Sequence, residues 1–383
     1  MDLHLQTAGE SHGAVLTAIL SGIPAGSRVT TDYVDARLAA RQRGRGRSAR
    51  QRTEEDRVVF HAGVRDDEAT GNPIALQVAN RDQTYKHLPP VHMPRPGHAD
   101  LPGALNRGLL DARNIVERSS ARETAVRVAA GAVAAQFLDA VGVRIFGHVV
   151  AIGGIEVYAE PGADLEAARE RRDASDLHAL GDEAAQDEAR ALIDKAKKDG
   201  DTLGGIVEIV ATGVPVGLGG HEYPEAKLSS TLAGAVMGIQ AVRGVELGMG
   251  FRATGLKGSE AHDVILPRDG GGLPPRRASN RAGGVEGGTS NGQPIVVRAA
   301  MKPLATLRKA LPSIDLRTGE EAPARVERSD VTAVPALSIV AEAVVALDLA
   351  RHVRRRFGGA HVKEVVHGIA VLEKRIRTLG KQQ

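Results

Sequence analysis

Gly9-Glu10-Ser11-His12-Gly13 sets a carboxylate, a hydroxyl and an imidazole between two glycines. Glycine lets the backbone approach a flat or charged ligand at little steric cost, and a histidine there can offer one proton near neutral pH. A second histidine loop, Arg95-Pro96-Gly97-His98-Ala99-Asp100, uses Pro-Gly to specify a tight turn and carries an aspartate spaced to orient the ring. An arginine loop lies between them, Arg41-Gln42-Arg43-Gly44-Arg45-Gly46-Arg47-Ser48-Ala49-Arg50-Gln51-Arg52. Its guanidinium forks match phosphate and carboxylate oxygens in bidentate pairs. A small polyanionic substrate is one reading of this loop, an RNA-binding segment of the Arg-Gly type a second, and a solvated charged loop a third. The loop has no interleaved aromatics and Glu54-Glu55-Asp56 follow at once, both of which weigh against nucleic acid.

Further along, Arg118-Ser119-Ser120-Ala121-Arg122 opens a helix, where free amides, hydroxyls and two arginines make an anion site. The run from Gly283 to Gly292 is glycine-rich and precedes a strand. It lacks the Gly-Lys-Ser/Thr end of a P-loop and the helix that must follow a dinucleotide fingerprint, so by itself it reads as a turn. Lys302-Pro303-Leu304-Ala305-Thr306 follows that strand, and Arg328-Ser329-Asp330 precedes a long apolar helix.

The elements that must position these residues alternate between α and β. Strands are expected at 14–20, 57–60, 74–78, 144–152, 205–214 and 294–301. Helices are expected at 32–40, with Thr31 as cap, at 229–242 and at 334–352. A further helix starts at Ser120, where Ser120 and Glu123 fit a capping box, and Gly142 ends it. The stretch 160–199 is charged and Ala-rich and reads as solvated helices. Arg118-Ser119 and Arg328-Ser329, each ahead of a long helix, hint at an internal duplication. The alternation alone is equally compatible with a parallel sheet.

The 383 residues form enough chain for a large core, and without a Pro/Ser linker one intertwined body is expected. Aromatics make up 2% with no Trp, so the core must be built from Ala, Val, Leu, Ile and the 45 glycines. The absence of cysteine excludes disulfides and thiol nucleophiles and agrees with a cytoplasmic setting. No apolar run reaches the ~18 residues of a membrane span, and the amino terminus has no signal-peptide pattern. No metal site is expected.

Taken in order, these segments resemble the chorismate synthase family: the loops at 9–13, 41–52 and 95–100, Arg118 to Ala125, Val242-Arg243-Gly244-Val245-Glu246, Gly287-Gly288-Thr289-Ser290-Asn291-Gly292, Lys302 to Thr306 and Arg328-Ser329-Asp330. The resemblance covers nearly the whole chain. It implies an α+β fold, a compact β-α-β sandwich of antiparallel sheets with helices, in one domain over 1–383 with a peripheral charged helical insertion at 155–200. It implies a trans-1,4-elimination of phosphate from 5-enolpyruvylshikimate 3-phosphate to give chorismate, with reduced FMN required although no net redox change occurs. His12 is then the proton donor to the leaving phosphate, His98 donates to the flavin N1/C2-carbonyl edge, and Asp330 assists proton removal near N5. FMN contacts are implied for Arg118, Ser119, Ser120, Gly287, Lys302, Pro303, Leu304, Ala305, Thr306 and Arg328. They are also implied for Gln240 and Ala241, where the family often has Asn-Ala. Ser11, Arg41, Arg47 and Arg122 are implied on the substrate side. Arg41 and Arg47 also match the NADP contact of bifunctional members, with substrate phosphate the preferred partner here. A homotetramer and an external flavin reductase complete the expectation, with no nucleic-acid or membrane partner.

Overall fold

The computed structural model describes residues 2–48, 55–327 and 329–379. Arg50, Arg52 and Arg328 lie outside the described residues.

Two antiparallel sheets enclose a helical layer. The first has the order His4–Ala8, Val15–Ser21, Ile74–Ala79, Val58–Ala62. Leu16, Ala18 and Leu20 are fully buried while Ile19 is half exposed, the alternation of a strand with one face on the core. The second sheet runs Val242–Leu247, Ile295–Met301, Gly205–Thr212, Arg144–Ile152, Ile155–Glu156. Every pairing between these strands is antiparallel, which resolves the sheet type that alternation had left open.

Helix Thr124–Ala140 packs against the first sheet and helix Val334–Phe357 against the second, and the two helices pack on each other. Small residues let them approach closely. A Cβ on Gly131 would fall 2.5 Å from the Ala343 Cβ and 2.6 Å from the Ala343 carbonyl. The core has no tryptophan, and at this crossing it is packed by backbone proximity. Pro335 lies in the first turn of Val334–Phe357, where its missing N–H costs nothing. Deep in that helix, Glu342 takes Nη1 of Arg169 at 2.8 Å and of Arg172 at 2.9 Å. Burial opposes its ionisation, but the surrounding arginines outweigh burial and bring its pKa to about 2.

Those two arginines come from helix Leu165–Ala174, in the charged stretch, where Arg172 is fully buried. The next helix, Glu183–Asp199, is capped by Asp182, which accepts from the Ala185 amide at 2.9 Å. Across the second sheet, His148, Glu208, Arg298 and Glu246 stand in one register row. Glu208 joins His148 Nε2 at 3.2 Å and Arg298 Nε at 2.8 Å.

Several boundaries differ from the sequence reading. Helix Leu228–Met237 ends five residues before the expected Val242, which instead starts strand Val242–Leu247. Helix Thr31–Gln42 has Thr30, not Thr31, at its cap position, and the Thr30 hydroxyl donates to Gln136 Oε1 at 3.1 Å instead of capping. Ser120 does cap, accepting from the Arg122 amide at 3.2 Å, but it opens the short 3-10 turn Ala121–Glu123 that leads into Thr124–Ala140. Glu123 does not close the box, because its carboxylate is taken by Thr7, Arg127 and Gln240. Helices Arg113–Ser119 and Val362–Thr378 were not anticipated.

Candidate active site

The first histidine loop is seated on helix Arg113–Ser119. The Ser11 amide donates to the Glu117 carbonyl at 3.1 Å, and the His12 amide to Glu117 Oε2 at 2.9 Å. His12 Nδ1 lies 3.0 Å from Glu117 Oε2 and 3.1 Å from Oε1. An ionised carboxylate only accepts, so Nδ1 carries the hydrogen and Nε2 faces away from Glu117, 3.9 Å from Asp82 Oδ2. The Glu117 side chain is fully buried. Burial opposes its charge, but the hydrogen bond and charge of His12 and the Arg113 guanidinium outweigh burial and hold its pKa below the usual range. From the other side, Asn80 Nδ2 donates to the carbonyls of Gly13 at 2.8 Å and Glu10 at 3.2 Å. The Ser11 and Ser120 hydroxyls are 3.2 Å apart, so this loop meets the start of the 3-10 turn.

His98 is held in the same way. Its Nδ1 lies 2.5 Å from Asp100 Oδ1, as the spacing predicted. Asp100 is fully buried and also takes Arg95 through Nε at 2.8 Å and Nη2 at 3.0 Å. Burial again opposes its ionisation, and the bonds from His98 and Arg95 overcome this, leaving its pKa well below the usual value. The Lys302–Thr306 segment closes over this loop. Lys302 Nζ donates to the Gly97 carbonyl, and Arg95 Nη1 to Thr306 Oγ1 at 2.7 Å. Burial and the nearby charge of Arg243 lower the Lys302 pKa.

Ala241 adopts a left-handed φ of 67°, uncommon for a residue with a Cβ, and its carbonyl takes the Lys302 amide at 3.0 Å. That turn presents Gln240, whose Nε2 donates to Glu123 at 3.2 Å. Gln240 Oε1 is buried with no hydrogen-bond partner among the described residues. Arg118 folds back on the first strand, donating through Nη2 to Thr7 Oγ1 at 2.8 Å and to the Thr7 carbonyl at 3.0 Å. Ser119 donates to the Val116 carbonyl at 3.5 Å. Gly287 lies at the tip of a two-residue hairpin between Val285–Glu286 and Thr289–Ser290. Gly287 and Gly288 both have positive φ, as that tight turn requires.

Arg41, Arg45 and Arg47 of the arginine loop are paired rather than splayed into solvent. Arg45 meets Asp194 at 2.7 Å and Asp176 at 3.3 Å, both in the charged stretch. Arg47 Nη1 meets Asp330 Oδ2 at 3.0 Å, and its Nε is buried without a partner among the described residues. Arg41 is only 3% exposed; its Nε donates to Thr124 Oγ1 at 2.9 Å, Nη1 to Asp56 at 3.3 Å and Nη2 to the Ala121 carbonyl at 3.1 Å. Burial, offset in part by Asp56, pushes its pKa down to about 9. Arg122 joins the same Asp56 at 2.6 and 2.8 Å and donates to Asn80 Oδ1 at 2.8 Å. Arg41 and Arg122 therefore lie beneath the His12 loop, each nitrogen met by a protein acceptor. Glu117, Asn80, Asp56 and Arg113 were missed by the sequence reading. Glu117 and Asn80 reach the His12 loop across 105 and 67 positions, so nothing local in the sequence links them to it.

The fold and the site together define an enzyme whose loops carry two carboxylate-anchored imidazoles beside buried arginines. The chorismate synthase family model matches residues 3–353. A chorismate synthase of Desulforamulus reducens is 48% identical over 375 residues, covering 95% of this chain and 96% of that protein. One from Nocardia farcinica is 48% identical over 394 residues, covering 97% and 95%. A solved structure titled as chorismate synthase superposes with a TM-score of 0.80 at 37% identity, covering 99% of each chain. The chain belongs to the chorismate synthase family. Among the described residues no helix is long and apolar enough to cross a membrane.

Proposed function

We propose that this chain eliminates phosphate from 5-enolpyruvylshikimate 3-phosphate to form chorismate, the last step of the shikimate pathway. The carrying observation is the matched support of two histidines, His12 on buried Glu117 and His98 on buried Asp100, within a chain of this family. The net change breaks the C–O bond to phosphate at C3 and the C–H bond at C6, with a new double bond and no net oxidation.

His12 keeps Nδ1–H on Glu117 and delivers a proton from Nε2 to the departing phosphate. Arg47 and Ser11 lie on the substrate side, and the buried Arg47 Nε, without a partner among the described residues, supports this, since a buried donor calls for an acceptor. Arg41 and Arg122 sustain the loop from behind through Asp56. Asp330, fixed by Arg47 and the Ser48 amide, assists the removal of the C6 proton.

The residues fit FMN. Gln240 Oε1 is a buried acceptor with no donor among the described residues, and Arg118, Ser119, Ser120 and Lys302 supply cations and hydroxyls suited to a phosphate and a polar ring edge. When bound reduced, the flavin supplies transient electron density to the substrate. Gln240, Ala241 and Lys302 to Thr306 would hold it beside His98, with Gly287 and Arg328 as further contacts. The reduced flavin comes from an external reductase, and the protein works as a cytoplasmic homotetramer. The segment 155–200 is an insertion on one domain, pinning the arginine loop through Asp176 and Asp194.

The test mixes protein, substrate and chemically reduced FMN without oxygen and measures chorismate and phosphate. Equal yields of both are expected. No product, together with salt-sensitive RNA affinity, would return the arginine loop to its nucleic-acid reading. NADPH with FMN and no reductase is expected to give no turnover.

A further inference from the structure

The two histidines sit at opposite ends of one chain of polar contacts. Starting from His12, Glu117 Oε1 takes Arg113 Nη1 at 3.2 Å. Arg113 Nη2 then donates to Glu327 Oε1 at 3.3 Å. Glu327 Oε2 lies 3.7 Å from Arg95 Nη1, and Arg95 binds Asp100, which binds His98. Charges alternate along the whole path. Glu117, Arg113, Arg95 and Asp100 are all buried, whereas the Glu327 side chain is 24% exposed.

We propose that Glu327 is a positioning residue that ties both histidine loops into one rigid unit, so that the aim of His12 and the aim of His98 are set together. This rests on the reaction proposed above. Arg113 and Arg95 each have another carboxylate partner, and among the described residues Glu327 is the carboxylate that meets both. Glu327 comes from a third segment, next to the Arg328-Ser329-Asp330 motif. A carboxylate at this point braces two buried guanidiniums against each other, and buried networks of this kind hold geometry cooperatively. Arg325 also reaches Glu327, at 2.7 Å, and fixes the carboxylate from its outer side. Glu10 and Asp82 flank His12, and neither belongs to the chain.

The test replaces Glu327 by Gln and, separately, by Asp, and reads each enzyme two ways. In the first, the low-field Nδ1–H proton resonances of His12 and His98 are recorded, each assigned by loss in the corresponding His→Ala variant. Glu327→Gln is expected to shift or broaden both resonances, and Glu327→Asp, which keeps the charge, to restore them in part. In the second, kcat for Glu327→Gln is expected to fall by roughly 10-fold to 100-fold with KM for substrate changed less than about threefold, the pattern of misaimed groups. Movement of one resonance alone, or of neither, overturns the proposal, as does a loss confined to KM. The resonance arm needs no turnover, so it fails or succeeds separately from the assigned reaction.

Discussion

Asp330 is fastened to Arg47 on one oxygen and to the next residue's backbone on the other: Oδ2 lies 3.0 Å from Arg47 Nη1, and Oδ1 takes the Ser48 amide at 2.6 Å. A carboxylate anchored at both oxygens keeps a fixed aim while still able to accept a proton. Asp330→Asn retains an acceptor for the Ser48 amide but removes the carboxylate that assists proton removal. Turnover is expected to fall by about 100-fold or more, the range of lost proton-transfer assistance, with FMN affinity changed little. Anaerobic chorismate formation and a flavin titration check this, and near wild-type turnover would remove Asp330 from proton transfer.

His12→Ala and His98→Ala are each expected to slow elimination by about 100-fold to 10,000-fold. The two should differ in their companion effects. His12→Ala leaves FMN binding close to normal, whereas His98→Ala weakens binding of the reduced flavin more than of the oxidised form. Equal effects of the two variants on flavin affinity would contradict the separate placements.

Gln240→Leu tests the cofactor side. Losing Oε1, which has no partner among the described residues, should weaken FMN binding by about tenfold, while losing the Nε2 bond to the Glu123 carboxylate should lower folding stability by about 1–3 kcal/mol. Unaltered flavin affinity would mean that Oε1 is satisfied by water alone.

Gly131→Val probes the helix crossing. The side chain would meet the Ala343 backbone at under 3 Å, contact that a flexible neighbour cannot relieve. A loss of about 1–3 kcal/mol or more is expected from overpacking, read as a lower urea midpoint with an unchanged slope. No loss would show that the two helices can separate freely.

His178 supplies a pH signature of stability. Burial first, and the charge of Arg172 second, lower its pKa from 6.5 to about 4, and its Nδ1 donates to the Pro335 carbonyl at 2.9 Å. The unfolded chain takes up a proton below pH ~6.5 that the folded protein refuses until about pH 4. Stability from this group is therefore complete above the upper value and declines as pH falls toward the lower one, by roughly 3 kcal/mol in all. His178→Asn tolerates the left-handed φ of 54° and removes the titration, so its stability should fall less steeply over that interval. An unchanged slope in urea unfolding across the interval would disprove the assignment.

The helices with strong apolar periodicity were legible: Thr124–Ala140 and Val334–Phe357 both appear where spacing placed them. The end of Leu228–Met237 was not, because the apolar run continues past the Gly238 cap through Ile239 and Ala241 into the strand at Val242. Helix Arg113–Ser119 is short and polar, so no periodic stripe announces it. At the site, Asp100 was readable as the partner of His98 because it lies two residues away. Glu117 was invisible as the partner of His12 because the pairing spans 105 positions and depends on the fold. The burial of Arg41 was equally hidden, since an arginine in a Gly-Arg run looks solvated until Asp56 and Thr124 are brought to it.

The row His148, Glu208, Arg298 and Glu246 also acts as an error check on sheet assembly. Sliding any of these strands by one residue turns its row member to the opposite face and strands a buried charge without its neighbour. The smooth aliphatic strands around it would tolerate many offsets, and this one charged line rejects all but the native alignment.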